Sequence, residues 1–126
     1  MLYFSFMKPE LSREQYREAG VLKATEIASA LGKKMPSLLS DGVTWRIDLP
    51  AGSAIHVFAD QINCFDGVAN FKMSGYEMFP TGGESEGVTF EVSGKSRTQR
   101  LHVGVTGAIK YESTPLVGAN SGNQSS

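Results

Sequence analysis

The side chains in this sequence that are best suited to nucleophilic chemistry are one cysteine and two histidines. Cys64 is the only cysteine, and His56 and His102 are the only imidazoles that could take its proton. Such a pair would create a thiolate nucleophile. The alternation of apolar and polar residues, however, predicts that Cys64 faces a core while both histidines face outward. We therefore interpret Cys64 as a buried structural residue.

Carboxylates provide a second candidate set for acid–base chemistry. Asp48, Asp60 and Glu77 would act together with His56. In a small enzyme these four side chains would line a cavity between a helix and a sheet, where burial shifts the pKa of an ionisable group. Their spacing assigns no nucleophile, acid or base. Catalysis is therefore the alternative hypothesis for this chain, and the first hypothesis is a protein without enzymatic activity.

Sequence motifs for metals, nucleotides and nucleophilic serines are missing from the chain. It contains no Walker A run, no G-x-G-x-x-G, no H-E-x-x-H, no paired C-x-x-C and no G-x-S-x-G. Asp60, Asn63 and Asp66 are closely spaced, but they lack the pattern of a calcium loop. Residues of these types are typical of turns. We expect neither a metal ion nor a cofactor.

An aromatic cluster is the most suggestive binding feature. Tyr76, Met78 and Phe79 run directly into a glycine-rich loop, and Phe58 is a further large residue in a predicted strand. Large apolar side chains in this position often line a pocket or an interface. These four residues are our predicted ligand-binding or partner-binding site. The alternative is that Tyr76 or Met78 simply covers the second face of a sheet.

A basic patch is the second surface candidate. Lys95, Arg97 and Arg100 collect near one predicted hairpin, with Lys110 close by. Such a patch could contact phosphates or an acidic protein. Only His102 adds a ring there, so the pattern does not favour a stacking platform for single-stranded nucleic acid. A solvated hairpin is the favoured interpretation, and we do not expect a nucleic acid partner.

One long helix must position these residues. Ser12 and Gln15 have the spacing of a capping box, and Gly32 is suited to end the helix, so we predict a helix from Arg13 to Leu31. The apolar stripe of this helix consists of residues with small side chains around Ala24, which predicts that the helix approaches a sheet closely. A stripe of this kind could instead form a helix–helix interface between subunits.

The remaining residues are predicted to form antiparallel strands. Asp66-Gly67 indicates a hairpin that places Phe65 opposite Val68 and Ile62 opposite Phe71, although a helical turn over residues 60–65 is a competing interpretation. Strand-like alternation covers Leu2 to Phe6, Val43 to Leu49, Ile55 to Phe58 with a continuation toward Cys64, Val88 to Val92, Leu101 to Val105, and Ile109 to Tyr111.

These elements predict an α+β fold with the helix on one curved antiparallel sheet of five to six strands. The arrangement would be roll-like, and the alternative is a β-sandwich with an outlying helix. We expect a single domain over residues 1–113 and a disordered tail over residues 114–126, because the tail is too polar to bury apolar surface.

Composition limits the class of protein further. Among 126 residues, 12 basic side chains oppose 13 acidic ones, which gives no overall attraction to nucleic acid or to an anionic membrane. A lone cysteine allows no internal disulfide, and no apolar run has the length of a membrane span. The sequence therefore predicts a cytoplasmic protein without a membrane partner.

The first functional hypothesis is a non-enzymatic binding protein. It would engage a protein partner or a small ligand through an apolar sheet face, and its general form is that of a short accessory protein of a phage or another mobile element. The predicted strands carry more large apolar residues than one short-chained helix stripe can cover. We therefore expect a homo-oligomer in which the aromatic cluster is protected.

Overall fold

A computed structural model describes residues 11–32, 35–82 and 86–116. These residues form one helix and nine strands. The predicted strand from Leu2 to Phe6 lies outside the described residues, as do residues 117–126 of the predicted tail. The last strand extends through Thr114 and Pro115, so it continues two residues past the predicted start of the tail.

The helix α1 spans Arg13–Ala30, which confirms the predicted element to within one residue. Its capping box is complete, because the amide of Gln15 donates to the hydroxyl of Ser12 at 3.1 Å and the amide of Ser12 donates to Gln15 Oε1 at 2.8 Å. At the other end, Gly32 follows with φ of +68°, a left-handed conformation that glycine adopts without steric cost.

The first sheet contains five antiparallel strands in sequence order. Each strand pairs with the next along the chain, so short turns connect all of them. The strands are β1 Ser37–Leu38, β2 Trp45–Asp48, β3 Ala54–Phe58, β4 Gln61–Phe65 and β5 Asn70–Ser74.

The second sheet contains four antiparallel strands, again in sequence order. Its two edge strands are therefore the first and the last of the four. The strands are β6 Glu77–Thr81, β7 Gly87–Ser93, β8 Arg97–Gly104 and β9 Ile109–Pro115. The two sheets meet where β5 approaches β9, since the ring of Phe71 stacks on the ring of Tyr111 with centroids 5.1 Å apart.

The helix packs closely on β2 and β3 through its small residues. Ala24 is completely buried, and a Cβ atom on Gly20 would meet Trp45 Cδ1 at 3.0 Å. The indole of Trp45 also donates to the backbone oxygen of Arg17 at 2.9 Å, which connects β2 to the N-terminal part of α1. This contact confirms the predicted packing of the helix on a sheet.

The helix and both sheets share one hydrophobic core. Alternation along each strand sends one set of side chains into this core and the other set to the outer face. The largest completely buried side chains come from all three layers: Ile27 from α1, Ile55, Val57 and Ile62 from the first sheet, and Val88, Phe90, Leu101 and Val103 from the second.

The α+β class is confirmed, and the strands divide into two sheets of five and four. The described residues form nine strands instead of the five to six that we predict, and this difference has local causes. Ala59, with φ of +54°, turns the chain between β3 and β4, so the apolar stretch that suggested one long strand forms a hairpin. The sequence does not predict β1, because a strand of two residues is too short to show an alternation of apolar and polar side chains.

The hairpin at Asp66-Gly67 is present, but its register differs by two residues from the prediction. Phe65 pairs with Asn70 rather than with Val68. The cause is the side chain of Asp66, whose Oδ1 accepts from the amides of Val68 and Ala69 and so stabilises a longer turn. A shift of two residues keeps every side chain on its predicted face.

We expect Ala24→Leu to lower the free energy of unfolding by about 1–3 kcal/mol, because the added atoms overpack a contact that has no free space. Glu18→Leu, at an exposed position of the same helix, is the matched control. Urea denaturation of both variants is the measurement. Equal midpoints for the two variants would contradict the close approach of α1 to the sheet.

Candidate ligand-binding groove on the first sheet

The outer face of the first sheet carries a row of polar side chains, one from each of four neighbouring strands. Arg46 on β2 pairs with His56 on β3, His56 pairs with Asn63 on β4, and Asn63 pairs with Lys72 on β5. Directly opposite residues in antiparallel strands have Cβ atoms about 4.5–5.5 Å apart, so neighbours in this row interact. The row lies on the opposite face from the core.

A groove of about 230 Å³ opens along this row. Its volume is somewhat below the roughly 300–1,000 Å³ of pockets that hold drug-sized ligands, so its size fits a small metabolite. Residues from the turn before β2 and from strands β3, β4 and β5 line it: Thr44, His56, Phe58, Gln61, Ile62, Asn63 and Lys72.

Arg46 lies at one end of the row and is held by three groups. Its Nε donates to Asp48 Oδ1 at 2.7 Å, its Nη1 lies 3.3 Å from His56 Nε2, and its guanidinium lies over the ring of Phe65 at 5.8 Å. Because a guanidinium can only donate, Nε2 of His56 must accept, and the proton of the neutral imidazole is on Nδ1. His56 therefore carries its N–H donor at Nδ1.

The charge state of His56 follows from the same contacts. Burial lowers the pKa of His56 below its usual 6.5, and the guanidinium of Arg46 lowers it further, while Asp48 and Asp41 oppose the shift. The imidazole is therefore neutral at pH 7, and it cannot serve as a second cation beside Lys72.

Asn63 contributes the most unusual atom in the groove. Its Oδ1 is inaccessible to solvent and has no hydrogen-bond donor among the residues that the structure describes. Buried acceptors in proteins are nearly always paired, because an unpaired one loses its hydration without replacement. Because a water-sized molecule cannot reach Asn63 Oδ1, this acceptor can be satisfied only if the side chain rotates.

Lys72 supplies the positive charge of the groove. Its side chain is exposed, and within residues 11–32, 35–82 and 86–116 no carboxylate lies close enough to form an ion pair with it.

Thr44 lies at the end of the groove opposite Lys72, where its hydroxyl donates to Asp41 Oδ2 at 2.5 Å. This bond and those from two backbone amides lower the pKa of Asp41, so the turn before β2 is held by an ionised carboxylate.

Phe58 gives the groove an apolar end. Its ring stacks on the ring of Tyr16 in α1, with centroids 5.0 Å apart and an angle of 22° between the planes. Phe58 is the one residue of the predicted aromatic cluster that lines this groove.

The other three residues of that cluster lie elsewhere. Tyr76 is 8% exposed and makes an edge-to-face contact with Phe90 in the core, and burial raises its pKa. Met78 is half-buried against the same core, and Phe79 is 44% exposed on the outer face of β6. The structure therefore does not bring the four predicted binding residues together on one surface.

The catalytic candidates are also dispersed. Asp48 is exposed and paired with Arg46 on the outer face, Asp60 lies in the turn between β3 and β4, and Glu77 begins the second sheet. Asp48 and His56 thus lie on the far side of the sheet from α1, whereas the enzyme hypothesis required them between helix and sheet. Cys64 is completely buried, and burial raises the pKa of its thiol to about 12. Such a thiol is a poor nucleophile.

The predicted basic patch is divided between the two faces of the second sheet. Arg97 donates to the hydroxyl and backbone oxygen of Ser113, while Arg100 lies at an alternate position of the same strand and meets Glu91 at 3.4 Å. Arg100 is also directly opposite Glu112 in β9. Its charge is therefore surrounded by carboxylates, and Lys95 remains exposed in the hairpin turn.

The described part of the chain contains neither a cluster of metal ligands nor a membrane-spanning helix. There, no group of three or more His, Cys, Asp or Glu side chains could hold a metal ion. No helix within the described ranges combines the length and the apolarity needed to cross a membrane.

Most residues of the groove were not identified from the sequence as binding residues. Asn63 was interpreted as a turn residue, while Gln61 and Lys72 were not singled out. Alternation alone indicates that such residues face outward, but only the strand register aligns His56, Asn63 and Lys72 in one row. A correct pairing of β3 with β4 would have been the signal that located the groove.

Comparison with known protein families, with curated proteins and with solved structures found no match for this chain. Its function is therefore argued from the chemistry of the groove.

We expect acid to destabilise the protein through His56. The unfolded chain takes up a proton near pH 6.5, whereas folded His56 resists it, so the stabilisation is complete above pH 6.5 and is lost as the pH falls through the lower pKa of the folded state. Urea unfolding of the parent and of His56→Gln between about pH 5 and pH 8 is the measurement. The variant should show a weaker pH dependence in this window.

His102→Gln, which removes the imidazole of the second sheet, is the matched control. If the parent, His56→Gln and His102→Gln lost stability equally on acidification, the environment described for His56 would be wrong.

Proposed function

We propose that this protein is a non-enzymatic binding protein that takes a small polar ligand in the groove on the outer face of its first sheet. The observation that carries the proposal is the groove of about 230 Å³, in which the strand register aligns the polar side chains of His56, Asn63 and Lys72. Pockets that bind small molecules contain a few polar groups of this kind, which fix the orientation of the ligand.

The charges of the face favour a small ligand over a nucleic acid. Of its two cations, Arg46 is already paired with Asp48, which leaves Lys72 to face a bound molecule. Binding of a polynucleotide relies on neutralising several phosphates at once. One ammonium group is instead suited to a single negative charge.

The arrangement also favours binding over catalysis. Acid–base catalysis needs a proton donor or acceptor whose pKa lies near the working pH and whose reactive atom faces the substrate. In His56, the basic atom Nε2 faces Arg46 rather than the groove, and the groove is lined by no carboxylate from the described residues. What remains is a set of groups that can orient a ligand.

The test is an NMR screen of the parent protein against a library of small polar fragments. Fragments that bind should change the chemical shifts of the protein's backbone amides, and the changed amides should cluster on strands β3, β4 and β5 around Asn63. Asn63→Leu should abolish this binding while leaving the urea midpoint unchanged or higher, because it replaces an unsatisfied acceptor with an apolar side chain.

Asn70→Leu, at an exposed position on the same face of β5, is the matched control and should retain binding. Fragments that bind only at other surfaces, or that bind Asn63→Leu as well as the parent, would refute the proposed site.

We further propose that the chain forms a homo-oligomer through β6. Among the described residues, this strand is an edge of the second sheet, and it carries the exposed ring of Phe79. Pro80 within β6 has no backbone N–H to donate, so we propose that the contact between copies is made by the Phe79 side chain rather than by strand pairing. The lone buried Cys64 is compatible with a reducing compartment such as the cytoplasm, which we propose as the location.

Sedimentation velocity tests the association. The parent should sediment as a dimer or larger species, and Phe79→Ser should shift it toward the monomer because it removes the exposed apolar contact. Val68→Ser, which removes an even more exposed apolar side chain from the turn between β4 and β5, is the control. A parent that is monomeric at high concentration would end this proposal.

A further inference from the structure

The last strand of the second sheet has an edge whose charges complement a second copy of itself. Among the described residues, β9 pairs with β8 alone. We propose that β9 also pairs with β9 of another copy of this chain, antiparallel and centred on Tyr111, so that Lys110 of each copy lies opposite Glu112 of the other. This contact is separate from the one that we propose for Phe79, which lies on β6 at the opposite edge of the same sheet.

The backbone of β9 determines which residues can bond to a further strand. The amide of Gly104 donates to the oxygen of Ala108 at 2.8 Å, and the amide of Leu116 donates to the oxygen of Ser96 at 2.9 Å. Bonded and non-bonded positions alternate along an antiparallel pair, so the even-numbered residues of β9 bond to β8. The residues that direct their N–H and C=O groups away from β8 are Ile109, Tyr111 and Ser113.

Neither Arg97 nor Pro115 prevents this edge from pairing. Arg97 Nη2 donates to the oxygen of Ser113 at 3.0 Å, but a carbonyl oxygen has two lone pairs and can accept a second bond. Pro115 has no N–H to donate, but it lies at the end of β9, outside the segment 109–113 that would pair. This segment therefore retains the donors and acceptors that a strand pair needs.

Charge selects one register for the pair. Since the outward-directed residues must bond to one another, the neighbouring registers are centred on Lys110, on Tyr111 or on Glu112. The first and the last place two lysines or two glutamates directly opposite each other, whereas the register centred on Tyr111 places Lys110 opposite Glu112 on both sides of the centre. Opposite charges in directly opposed positions stabilise a strand pair, and like charges destabilise it.

The same register extends a row of alternating charge on the outer face of the second sheet. Glu91 on β7 lies opposite Arg100 on β8 and meets it at 3.4 Å, and Arg100 lies opposite Glu112 on β9. The row thus ends at the edge with a carboxylate. Lys110 of the second copy would supply the next cation, and among the described residues neither Lys110 nor Glu112 has an ion-pair partner within its own chain.

This arrangement of charges specifies the chain itself as the partner. A lysine on an edge strand ordinarily discourages pairing, because most strands leave its charge unmatched. In β9 the lysine and the glutamate are two residues apart on one face, so an antiparallel copy of the same sequence matches both at once. Tyr111 is 39% exposed although its ring stacks on Phe71, and the second copy would cover it.

Reversing the charges tests the pairing by sedimentation velocity. All variants carry Phe79→Ser, which removes the other proposed contact, so the background should be smaller than the parent but still a dimer. Lys110→Glu gives the edge two carboxylates and Glu112→Lys gives it two ammonium groups, so each alone should raise the Kd of the dimer at least about tenfold. An equimolar mixture of the two should recover the dimer, because each carboxylate then faces an ammonium group.

Lys95→Glu is the matched control, since it makes the same change of net charge in the turn between β7 and β8. It should leave the Kd of the dimer unchanged. Amide hydrogen exchange of the Phe79→Ser background needs no charge variant. The amide of Tyr111 should be protected at high protein concentration and should exchange faster on dilution.

The outcomes separate this contact from the functions proposed above. A monomeric Phe79→Ser background, or a mixture that recovers no dimer, would overturn pairing through β9 and leave the Phe79 contact standing. Protection of Tyr111 that does not depend on concentration would show that the same chain covers this edge, and would also overturn it. A background that sediments like the parent and dissociates on charge reversal would support β9 and refute the Phe79 contact. Binding in the groove is tested independently by the fragment screen.

Discussion

The close contact between α1 and the first sheet is the interaction on which the rest of this structure depends. Gly20 and Ala24 let the helix backbone approach β2 and β3, and the indole of Trp45 bonds to the helix itself. Because strand side chains alternate, covering one face of the sheet assigns every residue of β2 to β5 to the core or to the outer face. The polar row around His56 is a consequence of that assignment.

The second sheet completes the core without covering the polar row. Phe90 and Leu101 join the side chains of the helix and the first sheet in a single cluster, so the apolar residues of both sheets are satisfied on their inner faces. Within the described residues, the side chains on the outer face of the first sheet remain accessible to another molecule, as do those on the outer face of the second sheet.

Two contacts convert this face from a solvated surface into a shaped groove. Burial and the guanidinium of Arg46, which Asp48 holds in place, keep His56 neutral, and the stack of Phe58 on Tyr16 closes one end with a ring. Surface ion pairs contribute little to stability. Their effect here is to orient groups, and such preorganisation would lower the entropy cost of the binding that we propose.

The sequence by itself determined the helix, its caps and the faces of the strands. These follow from local rules: the reciprocal bonds of Ser12 and Gln15, and the period of two that sends Cys64 inward and His56 outward. The two-residue shift at Asp66 is local as well, because the Asp66 side chain bonds the amides of Val68 and Ala69, but the Asp-Gly pair alone does not reveal it. The tertiary structure decided the division into two sheets and the alignment of His56, Asn63 and Lys72 in one row. Those features depend on which strands pair and in what register, and no local pattern in the sequence encodes contacts between residues distant along the chain.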